Sequence, residues 1–163
     1  MLTGIRAAET KEALVFDDFQ KSRLRFEESE LKASHPHCEF TLGDDYAFLK
    51  LWHSVAGTWY RLRVYVPGAY PDEKPIVYVE HPLPLPAYTP GKMIRDYAPS
   101  HNYHVLRTSK NGEVQICHFS DSAWDATKSI HLVILKAKLW LQAYAEHHMR
   151  TGQPICDFFN DCQ

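Results

Sequence analysis

Apolar residues recur along this chain with two different periods. Cys38-Glu39-Phe40-Thr41-Leu42 alternates apolar with polar, and Gly43-Asp44-Asp45 then marks a turn. Tyr46 to His53 forms a second run, Ala56-Gly57 a second turn, and Trp59 to Val66 a third run. In that third run Tyr60, Leu62, Val64 and Val66 share one face, while Arg61, Arg63 and Tyr65 share the other. Ile76 to Val79 is a fourth, more continuously apolar run. Short strands joined by tight turns predict a four-stranded antiparallel meander. A helical period brackets it. Thr10 offers an N-cap for an N-terminal helix carrying Leu14, Phe16, Phe19, Leu24, Phe26 and Leu31. From Ser129 to Met149, Ile130, Ile134, Ala137, Leu141 and Tyr144 form a stripe widened by Val133 and Trp140, and Gly152 and Pro154 stop it. The four tryptophans, Trp52, Trp59, Trp124 and Trp140, are expected in the core.

Between these parts proline takes over: eight of the ten prolines lie from Pro67 to Pro99. Proline donates no backbone hydrogen bond, so residues 81–104 are expected to leave the sheet as a long, stiffened surface segment. Val105-Leu106-Arg107 and Val114-Gln115-Ile116 then flank Lys110-Asn111-Gly112, and Asn-Gly predicts a small hairpin that delivers the chain to Cys117. The order is α+β, with helices packed on an antiparallel sheet. At 163 residues, with no internal repeat, residues 1–163 read as a single domain.

Composition narrows the function classes. Eighteen Lys and Arg against 20 Asp and Glu leave a formal charge of −2, which argues against a dominating nucleic-acid-binding field. No apolar run approaches a membrane span and the N-terminus lacks a signal-peptide core, so the expectation is a cytoplasmic protein with no membrane partner. In that compartment Cys38, Cys117, Cys156 and Cys162 are expected to be reduced. The Cys and His spacings match no structural zinc pattern, and there is no glycine-rich phosphate loop or Gly-x-Ser-x-Gly elbow. No metal and no cofactor are implied.

Cys117 ends an apolar strand just before the polar run His118-Phe119-Ser120-Asp121-Ser122. A thiol there can emerge from a sheet end while its backbone stays anchored, as a nucleophile requires, although most cysteines are small buried hydrophobes. His118 follows directly, and neighbours in an extended chain face opposite ways, so a surface histidine is expected there. The hairpin can fold His101, Asn102 and His104 back beside Cys117, where an imidazole or an amide could steady an oxyanion; polar loop filling is the alternative for each.

The run Trp59-Tyr60-Arg61-Leu62-Arg63-Val64-Tyr65-Val66-Pro67-Gly68-Ala69-Tyr70-Pro71-Asp72-Glu73-Lys74-Pro75-Ile76-Val77 resembles the third strand, Tyr-Pro turn and fourth strand of ubiquitin-conjugating enzymes. Gly112-Glu113-Val114-Gln115-Ile116-Cys117 is similar to that family's Gly-x-Ile-Cys approach, and Trp124-Asp125-Ala126-Thr127-Lys128-Ser129-Ile130 resembles its Trp-Ser-Pro-x-x-x-Ile segment before the central helix. The resemblance covers roughly residues 8–150. It implies a ubiquitin-conjugating-enzyme-like fold in which Cys117 carries a thioester to the C-terminus of a ubiquitin-like or other conjugated protein. The chain also departs from the family. The His-Pro-Asn motif, about eight residues before the family's cysteine, has its nearest match in Ser100-His101-Asn102, fifteen residues before Cys117. The oxyanion role is therefore open among His101, Asn102 and His104. Residues 81–100 look like an insertion, and the family's last two helices are missing or reduced to residues 155–163.

Truncated, histidine-bearing members of this kind resemble the bacterial branch, including proteins encoded beside cGAS-like nucleotidyltransferases in CBASS antiphage operons. The resemblance then implies the nucleotidyltransferase's C-terminus as cargo, an activating enzyme as a further partner, and an amine on a target protein as acceptor. A non-catalytic binding module of the same fold and a cysteine hydrolase are the alternatives.

Overall fold

A computed structural model describes residues 15–160. The four runs of the meander form β1 (Glu39–Leu42), β2 (Ala47–Val55), β3 (Thr58–Val66) and β4 (Ile76–His81). They continue through β6 (Val114–Ile116) to β5 (Val105–Thr108), giving one antiparallel sheet of six strands in the order β1-β2-β3-β4-β6-β5. The sheet is thus wider than the predicted meander, because the hairpin that leads to Cys117 pairs with β4 instead of standing apart. Ala56 and Gly57 both have positive φ, +50° and +80°, in the two-residue turn between β2 and β3. That left-handed pair matches the strand twist, and a β-branched residue there would be strained.

Register makes the core legible. Phe40, Leu49, Val64, Val77, Ile116 and Val105 align in one row across all six strands, and Leu51, Leu62, Val79 and Val114 form the next. All of these except Phe40 are buried. Against them packs α2 (Ile130–Gln142) through Val133, Ile134, Ala137 and Leu141. Each buried Leu, Ile or Val contributes about 1.5–3 kcal/mol. On the opposite sheet face Lys50, Arg63 and Tyr78 align, with the Arg63 guanidinium over the Tyr78 ring.

The N-terminal helix, α1 (Asp18–Ser34), begins later than expected. Asp17 is its N-cap: its side chain accepts from the Gln20 amide at 2.7 Å, while the Gln20 side chain accepts from the Asp17 amide at 2.9 Å. Such a reciprocal box outcompetes an upstream start, and Thr10 lies outside the described residues. The helix turns Leu24, Glu27 and Leu31 inward and leaves Phe19 and Phe26 exposed. Its part-buried and buried polar side chains knit distant segments together. Gln20 donates to the carbonyls of Gly68 and Tyr70, and Arg23 to those of Ala126 and Lys128. Glu27 accepts from the Tyr70 hydroxyl and from the Ile130 amide.

Residues 81–104 are not a surface segment throughout. They leave the sheet as the prolines require, but Leu85, Ala87 and Ile94 are buried in the main core. Beyond Gln142 the last helix widens into a π-helical turn (Ala143–His148) and closes with α3 (Met149–Thr151), where Gly152 at φ +73° ends it. Trp140, Tyr144 and His148 face one way and bind the backbone of the proline-rich segment. The Trp140 indole donates to the Tyr103 carbonyl at 2.9 Å, the Tyr144 hydroxyl to the Pro86 carbonyl at 2.6 Å, and His148 Nε2 accepts from the Tyr88 amide at 3.2 Å. A segment that cannot use a strand neighbour thereby satisfies its polar backbone from a helix. Of the tryptophans only Trp140 is fully buried; Trp52 and Trp59 are exposed on β2 and β3, and Trp124 is half-buried. Among the described residues no helix is long and apolar enough to cross a membrane.

Candidate functional site

β6 ends at Ile116, whose side chain closes the core row, and Cys117 follows as the first residue outside the strand. The Cys117 amide donates to the His104 carbonyl at 2.8 Å. Its side chain is half-buried and carries a thiol, as does buried Cys38, whereas Cys156 is disulfide-bonded. The expectation of four reduced cysteines is corrected at Cys156.

Two grooves meet at Cys117. The larger, about 450 Å³, is walled by Phe119, Ala123, Leu139, Trp140 and Phe159. The smaller, about 280 Å³, runs past Pro99, Ser100, Val105 and Leu106. Cys117, His101 and His104 line both. The two imidazoles lie 5.0 Å apart, centroid to centroid, in a turn closed by the His104 amide donating to the His101 carbonyl at 3.0 Å. His104 holds φ +49°, a left-handed conformation that costs a non-glycine residue about 1–2 kcal/mol. Two bonds to its carbonyls help hold the turn against that cost: the Cys117 amide donates to the His104 carbonyl and the Trp140 indole to the neighbouring Tyr103 carbonyl.

Asn102, the third candidate, lines neither groove. It is exposed, and its carbonyl accepts from the Cys156 amide at 2.8 Å, tying the turn to α4 (Ile155–Phe159). Through that helix the C-terminal tail covers the site: Ile155 and Cys156 are buried, and Phe159 lies edge-on to His104 at 5.4 Å.

His118 is buried, contrary to the sequence expectation. Nε2 donates to the Pro75 carbonyl at 2.6 Å, and Nδ1 has no hydrogen-bond partner among the described residues. Burial drives its pKa down from 6.5 to about 4, with Lys74 and Lys136 adding to the effect. The chain bends directly after β6, so the alternation that would turn His118 outward no longer applies. Next to it, the Phe119 ring stands edge-on to Trp124 at 5.6 Å, and the Trp124 indole donates to the Pro71 carbonyl at 2.9 Å. The Tyr70-Pro71 turn, the Trp124 segment and the loop after Cys117 are thus one cluster.

Lysines surround Phe119. Lys136 Nζ sits 4.1 Å above the ring centroid and lines the larger groove. Lys74 donates to the Phe119 carbonyl and pairs with Asp121, each at 2.7 Å. Among the described residues that line the two grooves there is no carboxylate. Phe119, Lys136, Trp140 and Phe159 were not singled out as site residues in the sequence. Only the helical stripe pointed to Trp140, and as core; the others are brought here by the turn after β6 and by α4. Among the described residues no group of three or more His, Cys, Asp or Glu side chains is arranged to hold a metal ion. Comparison with protein-family models, curated proteins and solved structures gives no match.

Proposed function

We propose that this protein is a cysteine-dependent acyl carrier and transferase with a ubiquitin-conjugating-enzyme-like fold. Cys117 takes the activated C-terminus of a protein as a thioester and passes it to an amine. The observation that carries this reading is the junction of two grooves at Cys117, with His101 and His104 shared between them. A carrier needs room for a donor and for an acceptor on either side of one nucleophile, and a simple buried thiol needs neither. Nearby cations stabilise thiolates, and the described lining of the larger groove supplies Lys136 and no carboxylate.

In the first step the Cys117 sulfur attacks the donor's thioester carbonyl. A new carbon–sulfur bond forms, the donor's breaks, and the departing thiolate takes up the proton that Cys117 released. In the second step an amine attacks the Cys117 thioester, an amide forms, and the thiol is restored. His101 and His104 are the candidates to donate to the oxyanion in both steps, since a single such bond is worth about 2.7–4 kcal/mol in the transition state. The cargo proposed from the family resemblance is the C-terminus of a cGAS-like nucleotidyltransferase or a ubiquitin-like protein, in cytoplasmic bacterial antiphage defence. An activating enzyme upstream and a protein amine downstream complete the scheme.

The direct test is the intact mass of the protein after incubation with a peptide α-thioester. Wild type is expected to gain the acyl mass and lose it on adding excess thiol, and Cys117→Ala to gain nothing. Stable, thiol-independent capture of partner by Cys117→Ala, with no adduct on the wild type, would instead indicate a binding module.

A further inference from the structure

We propose that the larger groove selects an acyl donor whose residues next to the reactive carbonyl are apolar and include a carboxylate, and that Lys136 reads that charge. This rests on the acyl-carrier reading and names its substrate class.

Three lysines approach Phe119 in the loop after Cys117, and two of them already have carboxylate partners. Lys74 pairs with Asp121 at 2.7 Å, and Lys128 with Asp125 at 2.5 Å. Lys136 makes no ion pair among the described residues; its contact is the face of the Phe119 ring, 4.1 Å from Nζ to the centroid. A cation over an aromatic face is held at one point of the groove wall, where it can meet an incoming anion. Lys136 also stands on α2, a helix anchored in the core by Val133, Ile134, Ala137 and Trp140, so its stem starts from a rigid base.

The rest of the groove wall fixes the neighbouring chemistry. Phe119, Ala123, Leu139, Trp140 and Phe159 are apolar, and among the described residues lining the groove there is no acid to receive a basic side chain. From Leu139 at the groove wall, exposed at 47%, the outward side of α2 continues through Leu135 and Leu132, at 42% and 36%. A donor tail leaving Cys117 in this direction meets one positive charge and then an aliphatic surface. A basic tail would place like charges together in a partly desolvated groove.

The experiment uses the whole protein and a set of short peptide α-thioesters. Each carries Glu, Gln or Lys at one of the three positions preceding the C-terminal residue, and transfer to Cys117 is followed by intact mass. At the position that faces Lys136, the expected order is Glu, Gln, Lys, with roughly threefold to fivefold in rate between steps at low salt. The spread is expected to shrink at about 0.5 M salt. Lys136→Glu reverses the order and Lys136→Met removes it; both are changes of an exposed side chain and leave the fold intact. One rate for all charges, or the wild-type order surviving in Lys136→Glu, overturns charge selection while leaving the acyl carrier standing. Acyl groups found on the Lys136 nitrogen overturn it too, since the lysine would then be an acceptor. If no peptide acylates Cys117 although a small alkylating reagent does, the acyl-carrier reading fails and takes this inference with it.

Discussion

The backbone amide of Cys117 binds the carbonyl of His104 at 2.8 Å, and His104 is the residue of the turn held at φ +49°. The proposed nucleophile and its candidate oxyanion donor are therefore coupled through main chain, and the coupling keeps a costly conformation in place. Strain at this point is local to the site, since the other non-glycine residues with positive φ, Ala56 and Asn160, lie in the β2–β3 turn and after α4.

That relationship separates folding from function at His104. Glycine adopts positive φ freely, so His104→Gly removes the strain and the imidazole together. Its stability is expected within about 1 kcal/mol of wild type by chemical denaturation. If His104 is the oxyanion donor, acyl transfer from Cys117 slows by about two to three decades, and His101→Ala has the smaller effect. The reverse order assigns the donor to His101. Asn102→Ala, outside both grooves, is expected to stay within about threefold of wild type; a loss of decades there would contradict the placement of the oxyanion site.

Trp140 positions the same turn from the other side. Trp140→Phe removes the indole N–H that serves the Tyr103 carbonyl together with part of the buried ring system. The lost bond and the space left behind are together expected to cost about 2–4 kcal/mol of stability. A purely structural role would leave the chemistry of the loaded enzyme unchanged. A positioning role lowers the single-turnover rate of thioester discharge while peptide binding is retained, and Trp140→Tyr, which has no donor at the indole position, fails to rescue it.

His118 sets the acid limit of stability. Its native pKa, about 4, is below the 6.5 of the unfolded chain, so between these values the unfolded state binds more protons and stability rises with pH. The contribution is fully present above pH 6.5 and is lost as pH falls towards about 4, by an amount on the order of 3 kcal/mol. His35 and His53 add in the same direction: burial lowers both pKa values, with Lys138 next in each case. Urea midpoints measured from pH 4 to pH 7 are expected to rise steeply. In His118→Gln, which retains a donor for the Pro75 carbonyl, the rise is expected to flatten; an unchanged slope would show that His118 is protonated at no cost.

Period-two alternation made the sheet legible, since Leu62 and Val64 face a core whose register is fixed by the tight turn between β2 and β3. The Asn-Gly signal likewise marked the hairpin before Cys117. The burial of residues 81–104 was hidden because proline reports only what the backbone cannot do, and Leu85 and Ile94 find their pocket through tertiary contacts. The same holds for Trp52 and Trp59, whose strand pattern is right but whose face is the open one. Polar knitting by Gln20, Arg23 and Glu27 is invisible to hydrophobic periodicity, because these residues look like a solvated helix face. At the site, Cys117, His101 and His104 were readable from order along the chain; Lys136 and Phe159 converge only once α2 and α4 are folded.

Single-turnover discharge of the Cys117 thioester tests the central claim most directly. Protein loaded with a labelled peptide is freed of excess donor and mixed with increasing concentrations of a primary amine, and the products are resolved as amide and free acid. The expected result is a discharge rate that climbs with amine concentration and amide as the main product. Free acid as the main product at every amine concentration would contradict a transferase and leave a cysteine hydrolase in its place.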